Sequence, residues 1–461
     1  MSKAEKIYLK SPEWAKSLAV SMYGKIQYRK RYSGSYQQLL DKVRDTHSWT
    51  TQEVHDYQCE RMQSMLSYCF EKIPYYHKLF IDHGLTVENI TNLDDLKKIP
   101  ILKKDVLRSS PQEFRPANRK LVHTSHKTSG STGTPVSIDV DEETYKLAMA
   151  LLVDFEERNG VPFGARRATF AGRIIKSTDN LTPPFWKYNS AENQLLFSSY
   201  HLNRSTFHHY REKLQQFAPL ELIGYPSAIY EIANHYYLQG VIPEFRPKLI
   251  VTNSENLLNW QRERIEEVFN CKVRDYYSTA EYLNFAGEDD KGIYHSNPLP
   301  GITELDPLES GEGQHILIMT SLTNTAMPLV RYDVGDLAIP ASGNELSSGI
   351  PRLSEIEGRI DEYIETQDGR KIGRVSQIFK GVPGIKEAQI IQYKCGEAQF
   401  NIVSETEGNT LAESMIIENS KLRLGEDFKV TINYQSRIPR QKNGKFRFVL
   451  KKEQSSSKEG T

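Results

Sequence analysis

The chain has 461 residues, too long for one simple domain, and reads as two or three packed units. Lys plus Arg and Asp plus Glu balance at 59 each, so no basic excess draws in a polyanion and nucleic-acid binding is disfavoured. Mean hydropathy is −0.56, and apolar runs such as Leu147–Val153 fall far short of the ~20 residues that span a bilayer, which excludes an integral membrane segment.

The opening MSKAEKIYLK lacks the apolar stretch of a secretory signal, so the expected location is the cytoplasm. Helical periodicity dominates the first hundred residues, through Trp14–Tyr32, Thr51–Ile73 and Asn92–Ile99. Trp14–Tyr32 mixes apolar residues with Lys16, Lys25, Arg29, Lys30 and Arg31. Such a segment either packs on a core with its basic face solvated, the favoured reading, or lies weakly on an anionic membrane surface. Met62, Met65, Leu66, Cys69, Phe70 and Ile73 form one face of the second helix. The four cysteines, Cys59, Cys69, Cys271 and Cys395, stand far apart with no C-x-x-C pair. They are expected to be buried, reduced thiols rather than a disulfide framework or a zinc cage.

Beyond residue 100, short apolar strands alternate with helices, the rhythm of an α/β architecture. Leu220–Ile223 is a strand, followed by the turn Gly224-Tyr225-Pro226-Ser227 and a helix that stops at Gly240. Leu249–Thr252 is another strand, then come a helix over Leu257–Phe269 and the strand Lys272–Tyr276. From about Gly301 the pattern turns to β, with His315–Leu322 a buried strand and Pro328–Ile339 after it. The polar stretch Ala341–Ile350 loosens the chain, and after Asp361 a smaller α+β unit of near-modal domain size follows. The polar tail 453–461 is expected to fray.

The sharpest local signal is Thr128-Ser129-Gly130-Ser131-Thr132-Gly133-Thr134-Pro135. Its glycines free the backbone to approach an anion, and its hydroxyls supply donors for phosphate oxygens. It is neither a Walker A loop nor a Rossmann fingerprint, since Lys127 precedes the glycines instead of following them. An ordinary Ser/Gly surface loop has the same composition, so context decides. Four further segments supply that context: Tyr277-Ser278-Thr279-Ala280-Glu281, Arg331-Tyr332-Asp333-Val334-Gly335-Asp336, Gly358-Arg359-Ile360-Asp361-Glu362 and Pro439-Arg440-Gln441-Lys442-Asn443-Gly444-Lys445-Phe446-Arg447.

Five motifs in this order resemble the acyl-adenylate-forming superfamily of acyl-CoA synthetases, peptide-synthetase adenylation domains and luciferases. The pattern is most similar to the phenylacetate–CoA ligase-like branch, including members associated with capsular polysaccharide clusters, and runs from about Thr51 to Lys452. The resemblance implies an α/β fold with a large multi-subdomain N-terminal adenylating domain and a small α+β C-terminal domain. The corresponding division is a helical extension over 1–50, an adenylating core over 51–360, a mobile lid over 361–452 and the tail.

The resemblance also assigns roles. Thr128, Ser129, Gly130, Ser131, Thr132 and Gly133 would hold the β- and γ-phosphates of ATP. Glu281 would be a Mg²⁺ ligand, as suits a carboxylate beside phosphate oxygens. Tyr277 would stack on adenine, with Ser278 and Thr279 beside it, and Ser254 and Glu255 would line the other adenine face. Asp336 would accept from both ribose hydroxyls, and Arg331 would place a positive charge near ribose and phosphate, with Arg359 in the same nucleotide site. Lys445 would be catalytic, bridging the acyl carboxylate and the α-phosphate as charge develops, although Lys-Asn-Gly-Lys by itself reads as a hairpin turn. Asp361 would be the hinge of the lid.

Two positions depart from the family pattern: Ser278 stands where Gly is usual, and Ala280 where Thr or Ser is common, so a hydroxyl contact there is lost or passes to Thr279. For the acyl pocket, family position points to Tyr225, Pro226 and Ser227. Arg173 is a candidate for an acid group, against a surface ion pair, and Pro183-Pro184-Phe185-Trp186 either caps a pocket or packs. The implied reaction takes a small carboxylic acid, ATP, Mg²⁺ and coenzyme A to an acyl-CoA thioester. Its rivals are transfer of the acyl group to an amine or a carrier-protein thiol in polysaccharide biosynthesis, and a non-catalytic nucleotide-binding scaffold.

Overall fold

The chain opens with α1 (Glu13–Tyr32) and α2 (Tyr36–Asp45). α3 (Thr51–Lys72) starts at a capping box in which Thr50 and Glu53 satisfy each other's backbone N–H groups. Pro74 then opens α4 (Pro74–Asp82), in the first turn, where a missing N–H costs nothing. The structure is a computed structural model describing residues 8, 11–117, 121–127, 136–171, 175–176, 180–308, 313–342, 349–359, 364–367, 371–372, 375–379, 382–404, 410–440 and 446–452. The helix expected over Asn92–Ile99 is a 3-10 turn, Leu93–Lys98. Asn92 and Asp95 close a capping box at its start, and Pro100 follows too soon for α-helical turns to develop.

After α5 (Lys104–Ser109), β1 (Thr124–Lys127) and β2 (Ser137–Val140) pair antiparallel, with Lys127 opposite Ser137. α6 (Glu142–Arg158) begins where Asp141 accepts the Thr144 N–H. Next come β3 (Arg167–Phe170), β4 (Trp186–Asn189), β5 (Gln194–Phe197), α7 (Phe207–Phe217), β6 (Glu221–Gly224), α8 (Pro226–Leu238), β7 (Leu249–Thr252), α9 (Asn259–Phe269) and β8 (Val273–Ser278). β9 (Phe285–Glu288), β10 (Tyr294–Ser296), β11 (Gly301–Pro307), β12 (His315–Ser321), β13 (Tyr332–Pro340) and β14 (Arg352–Arg359) follow.

Among the described residues the strands from β3 to β14 form one sheet, ordered β11-β12-β13-β14-β10-β9-β8-β7-β6-β3-β5-β4. β5, β3, β6, β7 and β8 run parallel. A parallel stretch needs cover on both faces, which explains the continuous apolar run of β7. Leu222 and Ile250 enter one core with Ile229 of α8 and Ile265 of α9. Their neighbours Ile223 and Val251 enter the opposite core with Val43 of α2 and Leu151 of α6, as the two-residue period of a strand requires. α3 and α4 cover the antiparallel half instead, packing Met62, Leu66 and Phe80 with Leu317, Met319 and Leu353. Gln58 donates to the Gly301 carbonyl at 3.2 Å, and the Tyr76 hydroxyl accepts the Val330 N–H at 2.8 Å.

The C-terminal unit has its own core, in which Ile390, Phe400, Ile416 and Val449 meet. β15 (Ile364–Glu365) pairs with β16 (Lys371–Ile372). β17 (Ile385–Lys394) and β18 (Glu397–Ser404) form the centre of a second sheet, α10 (Thr410–Leu424) follows, and β19 (Lys429–Tyr434) and β20 (Val449–Lys451) flank the pair. All four cysteines are free, but only Cys69 is fully buried; Cys59 and Cys271 are half-buried and Cys395 is exposed. The expectation of four buried thiols therefore fails at Cys395, which sits in the β17–β18 turn. Among the described residues no helix is long and apolar enough to cross a membrane.

Candidate functional site

The carboxyl ends of the parallel strands converge on one edge, and the chain turns there in opposite directions. From β3 it runs outward to β4 and β5, while from β6 it runs inward to β7 and β8. Such a switch point leaves a crevice where ligands bind. Its floor needs glycine: a Cβ on Gly224 would lie 2.1 Å from the Phe170 carbonyl oxygen. The approach lets the Tyr225 N–H donate to that oxygen at 2.9 Å and the Asn253 N–H to the Gly224 carbonyl at 3.2 Å. Pro226 then opens α8, so Tyr225, Pro226 and Ser227 sit at a helix N-terminus beside the β7 turn. Ser254 is exposed in the left-handed region at φ 67°.

Two distant motifs meet next to this turn. Tyr277, near the end of β8, donates its hydroxyl to Asp336 Oδ2 at 2.7 Å. Asp336 pairs in register with Arg359 across β13 and β14. The register of β13 slips between Asp333 and Leu337 against β12, a bulge of the kind that re-aims a side chain. Gly335 carries it at φ 79° and donates its N–H to Asp333 Oδ1 at 2.9 Å. Lys103 holds Asp333 from outside at 2.9 Å. Asp336 is thus presented from a braced turn, half-buried, with one carboxylate oxygen on Tyr277.

Glu281 is buried, and the Tyr332 hydroxyl donates to its Oε1 at 3.4 Å. Thr279 holds the turn between them, accepting the Leu283 N–H at its hydroxyl at 3.1 Å, while Ser278 ends β8 exposed. Tyr282, at φ 59°, reaches His126 Nε2 at 3.1 Å, and burial lowers the His126 pKa. His126 lies on β1 and joins Tyr282 and Tyr145 in one aromatic group. Sequence reasoning missed Tyr332, Tyr282 and His126; adjacency to Arg331, Glu281 and Lys127 was the available signal. Among the described residues no three His, Cys, Asp or Glu side chains cluster as a metal cage. A single carboxylate such as Glu281 suits Mg²⁺ that keeps its water and phosphate oxygens.

Arg331 is buried. Its guanidinium is buried against Glu304, at 2.9 Å from Oε1, and donates to the Ile99 carbonyl at 2.6 Å. Its charge is matched by Glu304, and its donors tie the segment after the 3-10 turn to β13. That is a structural clamp. Glu255 accepts the Ser227 N–H at 3.3 Å and the Phe446 N–H at 2.5 Å. Burial pushes its carboxyl above the ordinary range, partly offset by these donors and by Arg440. Phe185 packs against Tyr210 and His201, so that aromatic loop is core.

The Phe446 contact brings the C-terminal unit to the same edge. Arg440 pairs with Glu387, close enough to Glu231 on α8 for the three charges to influence one another. Thr128, Ser129, Gly130, Ser131, Thr132, Gly133, Arg173, Asp361 and Lys445 lie outside the described residues, and Arg359 is described by its strand position alone.

The model of the CapK C-terminal domain family matches residues 364–452. Protein CapK of Staphylococcus aureus is 26% identical over 458 residues, covering 96% of this chain and 98% of its own. A phenylacetate–coenzyme A ligase of Thermus thermophilus is 24% identical, covering 85% of this chain and 95% of its own. A 2-hydroxyisobutyryl-CoA ligase, solved in the postadenylation state with an acyl-AMP, shares the fold at a TM-score of 0.65 and 19% identity. That match covers 86% of this chain and 88% of the other.

Proposed function

We propose that the chain, similar to protein CapK and to phenylacetate–coenzyme A ligases, couples a small carboxylic acid to coenzyme A through an acyl-adenylate. The observation that carries the reading is the Tyr277–Asp336 hydrogen bond, which joins two motifs 59 residues apart at the carboxyl edge of a parallel sheet. Asp336 would accept from the ribose hydroxyls of ATP, and the Tyr277 ring forms a wall for adenine while its hydroxyl holds the carboxylate.

Residues 128–133 hold the terminal phosphates, and Glu281 supplies the carboxylate for Mg²⁺, which neutralises phosphate charge when bound. Lys445 brings a cation to the acyl carboxylate and α-phosphate, where charge grows as the adenylate forms. Tyr225 and Ser227 stand at the N-terminus of α8, whose partial positive charge suits an anionic substrate group. Rotation of the unit after Asp361 would withdraw Lys445 and admit a thiol. The reading implies a protein of the cytoplasm, where ATP and coenzyme A are available.

The test is pyrophosphate release across a panel of carboxylic acids, with and without coenzyme A. Acid-dependent release and a thioester product are expected. Release with no thioester in the presence of coenzyme A turns the assignment to a carrier thiol or an amine, and no release with any acid rejects adenylation.

A further inference from the structure

α1 is mounted inside out. At roughly 100° per residue, Glu13, Lys16, Val20, Gly24, Gln27 and Arg31 share the arc that meets the rest of the molecule. The contacts on and beside that arc are polar, except near the end of the helix, where Tyr28 and Tyr32 pack against Phe163. Lys187 of β4 pairs with Glu13, which also binds the buried Lys16. Arg31 pairs with Glu192 at 2.6 Å, and the Ser21 hydroxyl donates to the Tyr188 carbonyl at 3.3 Å. Gly24 packs so closely that a Cβ would strike Asn189.

The opposite arc carries the apolar residues. Trp14, Leu18, Met22 and Ile26 recur every fourth position, each about 40° further round, and Tyr23 closes the arc. All five are more than half exposed. A surface helix normally turns such residues to the core, and a contiguous exposed apolar patch marks a contact surface. The apolar residues run from Trp14 to Ile26, so the patch extends about 18 Å along the flank of the helix.

We propose that this arc of α1 lies on an anionic lipid surface. Lys25, Arg29 and Lys30 are exposed on the same arc, interleaved with the apolar side chains, and no carboxylate shares it. Apolar side chains with basic residues beside them match the boundary between acyl chains and anionic headgroups. A second copy of the chain fits less well, because pairing the arc with itself would set three cations against three. The proposal is independent of the ligase reading, since the residue of α1 that reaches the site's aromatic group, Arg31 donating to the Tyr145 hydroxyl at 3.3 Å, lies on the packed arc and not on the exposed one.

The test uses the full chain with sedimented vesicles, phosphatidylcholine alone or mixed in equal parts with phosphatidylglycerol. Binding is expected to the mixed vesicles only, and to weaken as salt screens the charges. Lys25→Glu with Arg29→Glu should weaken binding at least tenfold, each removed cation near the surface contributing roughly fivefold. Leu18→Glu with Met22→Glu should abolish binding with an unchanged melting temperature and unchanged pyrophosphate release. Failure of the wild type to sediment with mixed vesicles overturns the proposal, as does undiminished binding by either variant. A shift from dimer to monomer in the Leu18→Glu, Met22→Glu protein with vesicle binding intact would assign the face to a second copy instead.

Discussion

Glu255 accepts N–H groups from two distant elements, Ser227 at the start of α8 and Phe446 just past Lys445. A carboxylate in that position ties Phe446 to the N-terminus of α8. A hydrogen bond to a charged group is worth about 1.5–3 kcal/mol, so Glu255→Ala should slow acyl-adenylate formation by roughly tenfold to a hundredfold. Thioester formation from preformed acyl-adenylate should change far less, and single-turnover assays of each half would show the split. Asp275 offers a test of stability instead. It is buried between Thr252 and Tyr294, which donate to it at 2.5 and 2.8 Å, and burial pushes its pKa up to about 7. In the unfolded chain the group titrates near ~3.9. Between these values the folded protein holds a proton that the unfolded chain has released, so stability falls as pH rises through that window. Asp275→Asn should flatten this decline and raise the melting temperature above pH 7 relative to the parent. A parallel pair of melting curves against pH would remove Asp275 from this role.

At the level of elements, the parallel strands were legible because strands buried on both faces read as unbroken apolar runs, and Leu249–Thr252 matches residue for residue. Helix α3 was equally clear, its buried stripe of Met62, Met65, Leu66 and Cys69 following the helical period. What failed depended on partners far away in sequence. The segment after Asn92 kept a helical pattern but is held to a 3-10 turn by Asn92 and Asp95. Arg331 pairs with Glu304 on β11, and no local pattern signals that pairing. The motif order pointed to Tyr277 and Asp336 separately; their hydrogen bond needed the sheet. Gly224 shows how tightly two elements depend on one position. Gly224→Ala would force β3 and β6 apart, costing about 3 kcal/mol or more, and should lower both the melting temperature and pyrophosphate release. An alanine variant with the parent's melting curve would show that the strands separate freely.

For the whole molecule, one carboxyl edge serves two units, since Phe446 and Arg440 approach α8 from the C-terminal side. If the lid pivots at Asp361, a proline there should fix φ near −65° and trap one pose. Asp361→Pro is expected to form acyl-adenylate at a near-normal rate and stall before the thioester; equal loss of both halves in a well-folded variant would rule out the pivot. A separate consequence follows from how α3 and α4 are covered. Tyr76 meets Val330 across 254 residues of sequence, and Met62, Leu66 and Cys69 are sealed by β12 and β14. During synthesis at roughly 5–20 residues per second, this apolar face waits on the order of tens of seconds for its cover. The parallel strands and their helices are complete before that cover emerges, so the ribosome delivers one half finished while the other stays exposed to chaperones. In a variant keeping Cys69 alone, chains stalled before β12 should label with maleimide, and chains stalled well beyond β14 should not. Protection of Cys69 in the shorter chains would mean that α3 finds a temporary partner while its own is still being made.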